Sequence, residues 1–231
     1  MTHSPLFSWT PAAVVFDCDG TLMDTERHWQ DARERALREY GLTAAPGFAE
    51  RAKGLHYTEC GEMMAAESDR PDLTTELTSA LLAHFRALVS AHPRTMPGAP
   101  ELVAEAATSA PLAVASNCPL EVVEACLSTA GLLAYFDHIV VPDGGAVRPK
   151  PAPDVYLTAA RLCGAEPADC LAVEDSACGV RAAVQAGLRV LGVGPWPGED
   201  LAESVDLWVE RLDDPAVTAW ACRGEAIELA H

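Results

Sequence analysis

The stretch Val14-Val15-Phe16-Asp17-Cys18-Asp19-Gly20-Thr21-Leu22 decides how this chain is read. An apolar run delivers two carboxylates, two positions apart, to a glycine turn followed by a threonine. If Val14–Phe16 is a buried strand, Asp17 sits at its carboxyl end, where open α/β sheets keep their chemistry. The strand breaks at Gly20, so Asp17 and Asp19 can converge on one hard cation and one anionic ligand. A D-x-D pair on its own is as often a surface turn as a site. The strand before it and the Gly-Thr after it favour the site.

Three more stretches extend the pattern. Leu112-Ala113-Val114-Ala115-Ser116-Asn117 is an apolar run ending in a hydroxyl. Arg148-Pro149-Lys150-Pro151-Ala152-Pro153-Asp154 carries a lysine among prolines. Leu171-Ala172-Val173-Glu174-Asp175-Ser176 is another apolar run, ending in paired acids. Read singly, Ser116 fits a helix cap, Asn117 a turn, and Glu174 and Asp175 acids placed before a helix by its dipole. Taken in order, the four stretches resemble the signatures of the haloacid dehalogenase-like superfamily of aspartate-nucleophile phosphohydrolases. The resemblance runs from Val14 to about Gly194. It is closest to the β-phosphoglucomutase-like and sugar-phosphate phosphatase members, which share the E-D-S and K-P-A-P-D strings.

The chain has 231 residues, about half of them hydrophobic, enough for one large domain or a domain carrying an insertion. No run reaches the roughly 18 apolar residues of a spanning helix. The segment Met1–Pro11 lacks a basic region followed by an apolar one, so no secretory signal is read. Eight cysteines show no C-x-x-C spacing. Several, such as Cys126, Cys163 and Cys170, fall in apolar patterns and are read as free thiols of a cytoplasmic protein. A net charge of −18 disfavours nucleic acid and anionic membrane as partners. It also means that an anionic substrate needs a cation and a local positive side chain at the site. Of 16 basic residues only Lys53 and Lys150 are lysines. Lys150 falls on the lysine signature, where a compact ammonium suits a crowded phosphate–carboxylate site.

From Ala99 onward, strand-like runs at Leu112–Ala115, Ile139–Val141, Cys170–Val173, Val190–Val193 and Leu207–Val209 alternate with helical patterns. Those helices run from Leu120 to about Ala130, from Asp154 as a cap to Leu162, and from Ser176 as a cap to Ala186. Such alternation predicts a parallel, Rossmann-like α/β sheet. The interval from Asp24 to about Pro93 is purely helical in pattern. Thr25 is placed as the cap of a helix through Tyr40 with Trp29, Ala32, Ala36, Leu37 and Tyr40 on one face. Further helices are predicted over Thr58–Glu67 and over Leu73–Ala91, the latter with Leu77, Leu81, Phe85 and Leu88 in register. The family resemblance makes this block an inserted cap domain. The core is then 1–23 with 95–231 and the cap 24–94, joined near Leu22–Asp24 and His92–Pro97.

The resemblance also implies roles. Asp17 is the nucleophile and Asp19 the general acid and base. Mg²⁺ is held by Asp17, Asp175 and the backbone carbonyl of Asp19, with Glu174 ranked below Asp175. Thr21, Ser116, Asn117 and Lys150 cradle the phosphoryl group. Lys53 and Gly54 occupy a substrate-facing cap loop, with His56, Tyr57, His28 and Trp29 as further specificity candidates. Asp19 argues against dehalogenase chemistry, which lacks it. The mutase pattern is broken at Trp29, where a histidine is expected, and after Lys53-Gly54, where an arginine is missing. The expected activity is therefore a Mg²⁺-dependent phosphatase for a small phosphorylated metabolite, a sugar phosphate. A phosphosugar mutase is the alternative, and a silent phosphosugar-binding protein is disfavoured because Asp17 and Asp19 are both present. No extra apolar stripe points to an oligomer.

Overall fold

The computed structural model describes residues 5–91 and 93–221. After a 3-10 turn the chain forms β1 (Ala13–Phe16), then α1 (Glu26–Glu39), α2 (Phe48–Ala52), α3 (Tyr57–Glu67), α4 (Thr74–Ala91) and α5 (Ala99–Ala106). Strands and helices then alternate: β2 (Leu112–Ala115), α6 (Leu120–Thr129), β3 (His138–Val140), α7 (Asp154–Leu162), β4 (Cys170–Glu174) and α8 (Ala177–Ala186). The described chain closes with β5 (Arg189–Val193), α9 (Glu199–Ala202), β6 (Leu207–Val209) and α10 (Pro215–Ala221).

The six strands form one parallel sheet in the order β3-β2-β1-β4-β5-β6, as the alternating pattern predicts. β1, β2 and β4 are buried along their whole length, which explains why they read as unbroken apolar runs. Strand order reverses about β1, so the crevice beyond the ends of β1, β2 and β4 is the binding position such sheets create. Asp17, Ser116 and Glu174 all lie there.

Helices α1 to α4 intervene between β1 and α5 and pack on one another, chiefly α1 and α3 against α4. The chain leaves the sheet and returns to it side by side: Asp24 N–H donates to Arg94 O (2.9 Å) and Met96 N–H to Leu22 O (2.9 Å). Part of the expected second linker, His92, lies outside the described residues. At the centre of the helical block Leu77, Leu81 and Phe85 are fully buried, and Trp29 stacks on Phe85 with ring centroids 3.6 Å apart. Val89 rather than Leu88 completes the buried stripe of α4, and Tyr40 ends α1 exposed rather than on its packed face.

Two predicted capping bonds are not made. Thr25 stands at the N-cap position of α1, but its backbone is helical (φ −111°, ψ −6°) rather than extended and its hydroxyl is turned toward Asp19. Asp154 is the first helical residue rather than the cap, and its carboxylate pairs with Arg148 at 2.9 Å. In both cases the side chain bonds to another side chain instead of the helix end. Ser176 does cap α8, accepting from Gly179 N–H. The seven described cysteines are free, six of them buried and Cys163 half-buried. Among the described residues no helix is long and apolar enough to cross a membrane.

Phe85→Ala should destabilise the protein by about 3–5 kcal/mol, since it empties a fully buried aromatic site. Denaturant unfolding measures this, and Phe85→Leu should cost clearly less.

Candidate active site

The site is built around one buried ammonium. Lys150 Nζ donates to Asp17 Oδ1 and Glu174 Oε1, each at 2.6 Å, and to the Tyr156 hydroxyl at 3.3 Å. Tyr156 in turn donates to Glu174 Oε1 at 2.8 Å. The other Glu174 oxygen accepts from the backbone N–H groups of Asp175 (3.0 Å) and Ser176 (3.1 Å) and from the Ser176 hydroxyl (3.2 Å). Glu174 is thus fully buried with both oxygens engaged, and Gly179 of α8 packs so close that a Cβ there would collide with its carboxylate. Burial opposes the Lys150 charge, but Asp17 and Glu174 outweigh it and hold the ammonium well above the ordinary lysine pKa.

Burial pushes the Asp17 carboxyl well above the usual range against the pull of Lys150, and Glu174, Asp175 and Asp19 add to the rise. Asp17 Oδ2 is buried without a hydrogen-bond partner among the described residues. Asp19 Oδ1 accepts from the Thr25 hydroxyl (2.7 Å) and from Trp29 Nε1 (3.3 Å), and its Oδ2 accepts from the Ser116 hydroxyl (3.4 Å). Burial raises the Asp19 pKa as well, with those three donors and Lys150 pulling it back.

Gly20 adopts φ +91°, a left-handed conformation suited to glycine, and a Cβ there would run into the Asp175 carboxylate. Asp175 itself accepts from Lys53 Nζ at 2.9 Å and, at the edge of hydrogen-bond range, from the Thr21 hydroxyl at 3.5 Å. Lys53 Nζ also reaches the Asp175 carbonyl (3.2 Å). Asn117 is spent on backbone: its Oδ1 accepts from Lys150 N–H (2.8 Å), while its Nδ2 donates to Lys150 O and Gly54 O (3.1 Å each). The Lys53–Gly54 turn therefore rests directly on the sheet-end loops.

Of the sequence-predicted residues, Asp17, Asp19, Ser116, Asn117, Lys150 and Gly54 line one narrow cleft, with Thr21, Glu174 and Asp175 bonded around it. His56 and Tyr57 do not reach the cleft; they line a separate open groove with Pro142, Asp143 and Arg148. Gly54 at φ +74° reverses the chain, so Lys53 faces the carboxylates while the residues after Leu55 lead away into α3. His28 is not among the cleft residues either, whereas Trp29 is. Tyr156, Glu26 and Arg33 were not picked out from the sequence. A buried tyrosine needs a partner for its hydroxyl, and Arg33 breaks an apolar stripe four residues from both Trp29 and Leu37, which are the signals they leave.

The oxygen set fits a divalent cation. Asp17, Glu174 and Asp175 each offer an oxygen within 4.8 Å of the others, and hard carboxylates suit Mg²⁺. Four carboxylates face two ammonium groups, a deficit that one divalent ion would cancel. The unpartnered Asp17 Oδ2 and the lightly held Asp175 suit a metal better than the saturated Glu174.

Comparison with known proteins agrees with this geometry. A family model described as haloacid dehalogenase-like hydrolase matches residues 11–187. A "Probable pseudouridine-5'-phosphatase" of Drosophila melanogaster is 36% identical over 187 residues, covering 78% of this chain and 80% of its own. The plasmid-borne protein CbbY of Cupriavidus necator is 33% identical over 221 residues, covering 88% of this chain and 87% of its own. Among solved structures, CbbY from Rhodobacter sphaeroides in complex with phosphate superposes with a TM-score of 0.77 at 28% identity, covering 90% of this chain and 99% of its own. The chain belongs to the haloacid dehalogenase-like hydrolase family. Within it, the chain is a phosphoric monoester hydrolase.

Burial lifts the Asp175 carboxyl from 3.8 to about 6 against the pull of Lys53, with Glu174 adding to the rise. Between these two values the folded metal-free protein binds more protons than the unfolded chain, so its stability should fall as pH rises from about 4 to 6. A divalent cation held by Asp175 would compete with that proton, so Mg²⁺ should raise Tm more at pH 7.5 than at pH 5. At a hundred times its Kd, Mg²⁺ would add about 2.7 kcal/mol. Thermal melts with and without Mg²⁺ at both pH values check it.

Proposed function

We propose that this enzyme is a Mg²⁺-dependent phosphatase of a small phosphorylated metabolite, a sugar phosphate, working through an aspartyl-phosphate on Asp17. The observation that carries the reading is the Asp17 carboxylate: one oxygen is fixed by Lys150 at 2.6 Å and the other is buried and unpartnered. That pins the group in one orientation and leaves an oxygen for a ligand. Phosphatases among the relatives support hydrolysis as the outcome.

In the first half-reaction the Asp17 carboxylate attacks phosphorus, and the ester oxygen leaves with a proton from Asp19. The raised Asp19 pKa suits it to hold that proton, and Thr25, Trp29 and Ser116 fix its direction. In the second, Asp19 takes a proton from water as it attacks the phosphoryl group, the Asp17–phosphate bond breaks, and inorganic phosphate departs. Lys150, the Ser116 hydroxyl and the Asn117 backbone N–H neutralise the phosphoryl oxygens, and Thr21 adds a hydroxyl beside Asp175. Asp17, Asp175 and the Asp19 carbonyl would hold Mg²⁺, which would supply charge neutralisation at the phosphoryl oxygens. We assign Glu174 the role of orienting Lys150.

The helical block 24–94 acts as a cap on the core formed by 1–23 and 95–231. Its Lys53–Gly54 turn rests on Asp175 and Asn117, and its Trp29 on Asp19, so the cap screens the intermediate from bulk water. The net charge of −18 supports a protein without nucleic-acid or membrane partners, and the free thiols of the described cysteines support a cytoplasmic one.

Asp17→Asn should remove at least about a thousandfold in kcat, or roughly 4 kcal/mol of barrier. Phosphate release from nitrophenyl phosphate and from sugar phosphates, with Mg²⁺ and with EDTA, measures it. A variant retaining more activity than that, or a wild type equally active in EDTA, would sink the reading.

A further inference from the structure

One buried charge in the cleft has no task in the chemistry above. Arg33 is 4% exposed, lies on α1 and lines the same cleft as Asp17 and Lys150. Its Nε and Nη1 are buried and have no hydrogen-bond partner among the described residues. Its one ion pair among the described residues joins Nη2 to Glu26 Oε1 at 3.9 Å, the limit of such contacts, and the Glu26 side chain is 43% exposed. The neighbouring Cys60 takes a hydrogen bond from the guanidinium but offers no anion, because burial pushes its thiol up to about 11 despite the pull of Arg33. A desolvated guanidinium with two unsatisfied nitrogens is costly, and an apolar side chain would fill the space more cheaply. Folding alone gives no reason for it.

Its position supplies one. Trp29 and Arg33 are four residues apart on one face of α1, and Trp29 Nε1 touches Asp19 Oδ1 at 3.3 Å. Arg33 therefore stands one helical turn, about 6 Å of rise, beyond the residue that meets the general acid. A substrate whose phosphoryl group sits on Asp17 would extend toward Arg33 within the cleft.

We propose that Arg33 selects substrates carrying a second anionic group, a carboxylate or a second phosphate, a few carbon atoms from the ester that is hydrolysed. This rests on the phosphatase reading and names the substrate class for that site. The planar fork of Nε, Nη1 and Nη2 matches either anion in a bidentate pair, which an ammonium could not do as well. The bound anion satisfies the two orphaned nitrogens and cancels a charge that Glu26 only partly balances. Lys150 and Arg33 then read the two ends of the substrate.

The test uses matched pairs. The first is 6-phosphogluconate against glucitol 6-phosphate, acyclic six-carbon chains that differ at C1 as carboxylate or hydroxymethyl. The second is fructose 1,6-bisphosphate against fructose 6-phosphate. Wild-type kcat/KM should favour the anionic member of at least one pair by roughly 10–100-fold, the worth of one or two charge-assisted hydrogen bonds. The pair that responds identifies the anion as carboxylate or phosphate. In Arg33→Met that ratio should fall toward one, chiefly through KM, and Arg33→Lys should keep part of it. The Tm of Arg33→Met should equal or exceed that of wild type, since an orphaned charge is removed; if it does not fold, the ratios of Arg33→Lys and Arg33→Gln serve instead. A wild type that hydrolyses nitrophenyl phosphate but discriminates within neither pair overturns the Arg33 assignment and leaves the phosphatase standing. So does a preference that survives in Arg33→Met. A protein that releases phosphate from nothing in the panel fails at the earlier step, and both readings fall together.

Discussion

The ammonium of Lys150, held between Asp17 and Glu174 at 2.6 Å on each side, is the interaction on which the rest of the site depends. Three buried charges are tolerable only when mutually paired and hydrogen-bonded, so each neighbour is constrained in turn. Glu174 takes its remaining donors from the Tyr156 hydroxyl and from the start of α8. The Asn117 side chain grips the Lys150 backbone on both sides. Strands β1, β2 and β4 and the segment leading into α7 are thus tied at a single point, where the sheet reverses its strand order.

The second tie runs between the sheet and the helices inserted after β1. Thr25 and Trp29 both donate to Asp19, and Trp29 stacks on Phe85 in the middle of the helical block. Packing among these helices therefore sets the direction of a carboxylate belonging to the sheet. On the opposite side Lys53 and Gly54 contact Asp175 and Asn117. The cleft is walled by both parts of the molecule, and its field comes from both. In a chain of net charge −18, the two lysines stand where the acidic cluster is densest, which is how an anion can be admitted.

The sheet was legible because its strands are buried on both faces, so their sequences are unbroken apolar runs ended by the functional residue. β1, β2 and β4 could be placed to within a residue, with Asp17, Ser116 and Glu174 at their ends. Helices α1, α3, α4, α6, α7 and α8 were legible from period and from glycine stops, whereas α5, α9 and α10 were not read. Caps were less so: Thr25 and Asp154 have the right chemistry for a helix end but find partners elsewhere. The short helix α2 carried too few turns to show a period.

The sequence by itself determined the class of fold, the four signature stretches and their order, because hydrophobic period and residue type act locally. It could not say which side chains share a cavity. His56 and Tyr57 follow Lys53 closely yet line another groove, because one left-handed glycine turns the chain between them. Arg33 and Tyr156 read as ordinary helix residues, yet Arg33 lines the cleft with Lys150, more than a hundred residues further along the chain, and Tyr156 supports it from α7 through Glu174 on β4. Whether Glu174 is free to bind a metal was equally out of reach from the sequence. That depends on donors from α7 and α8, which only the folded chain assembles.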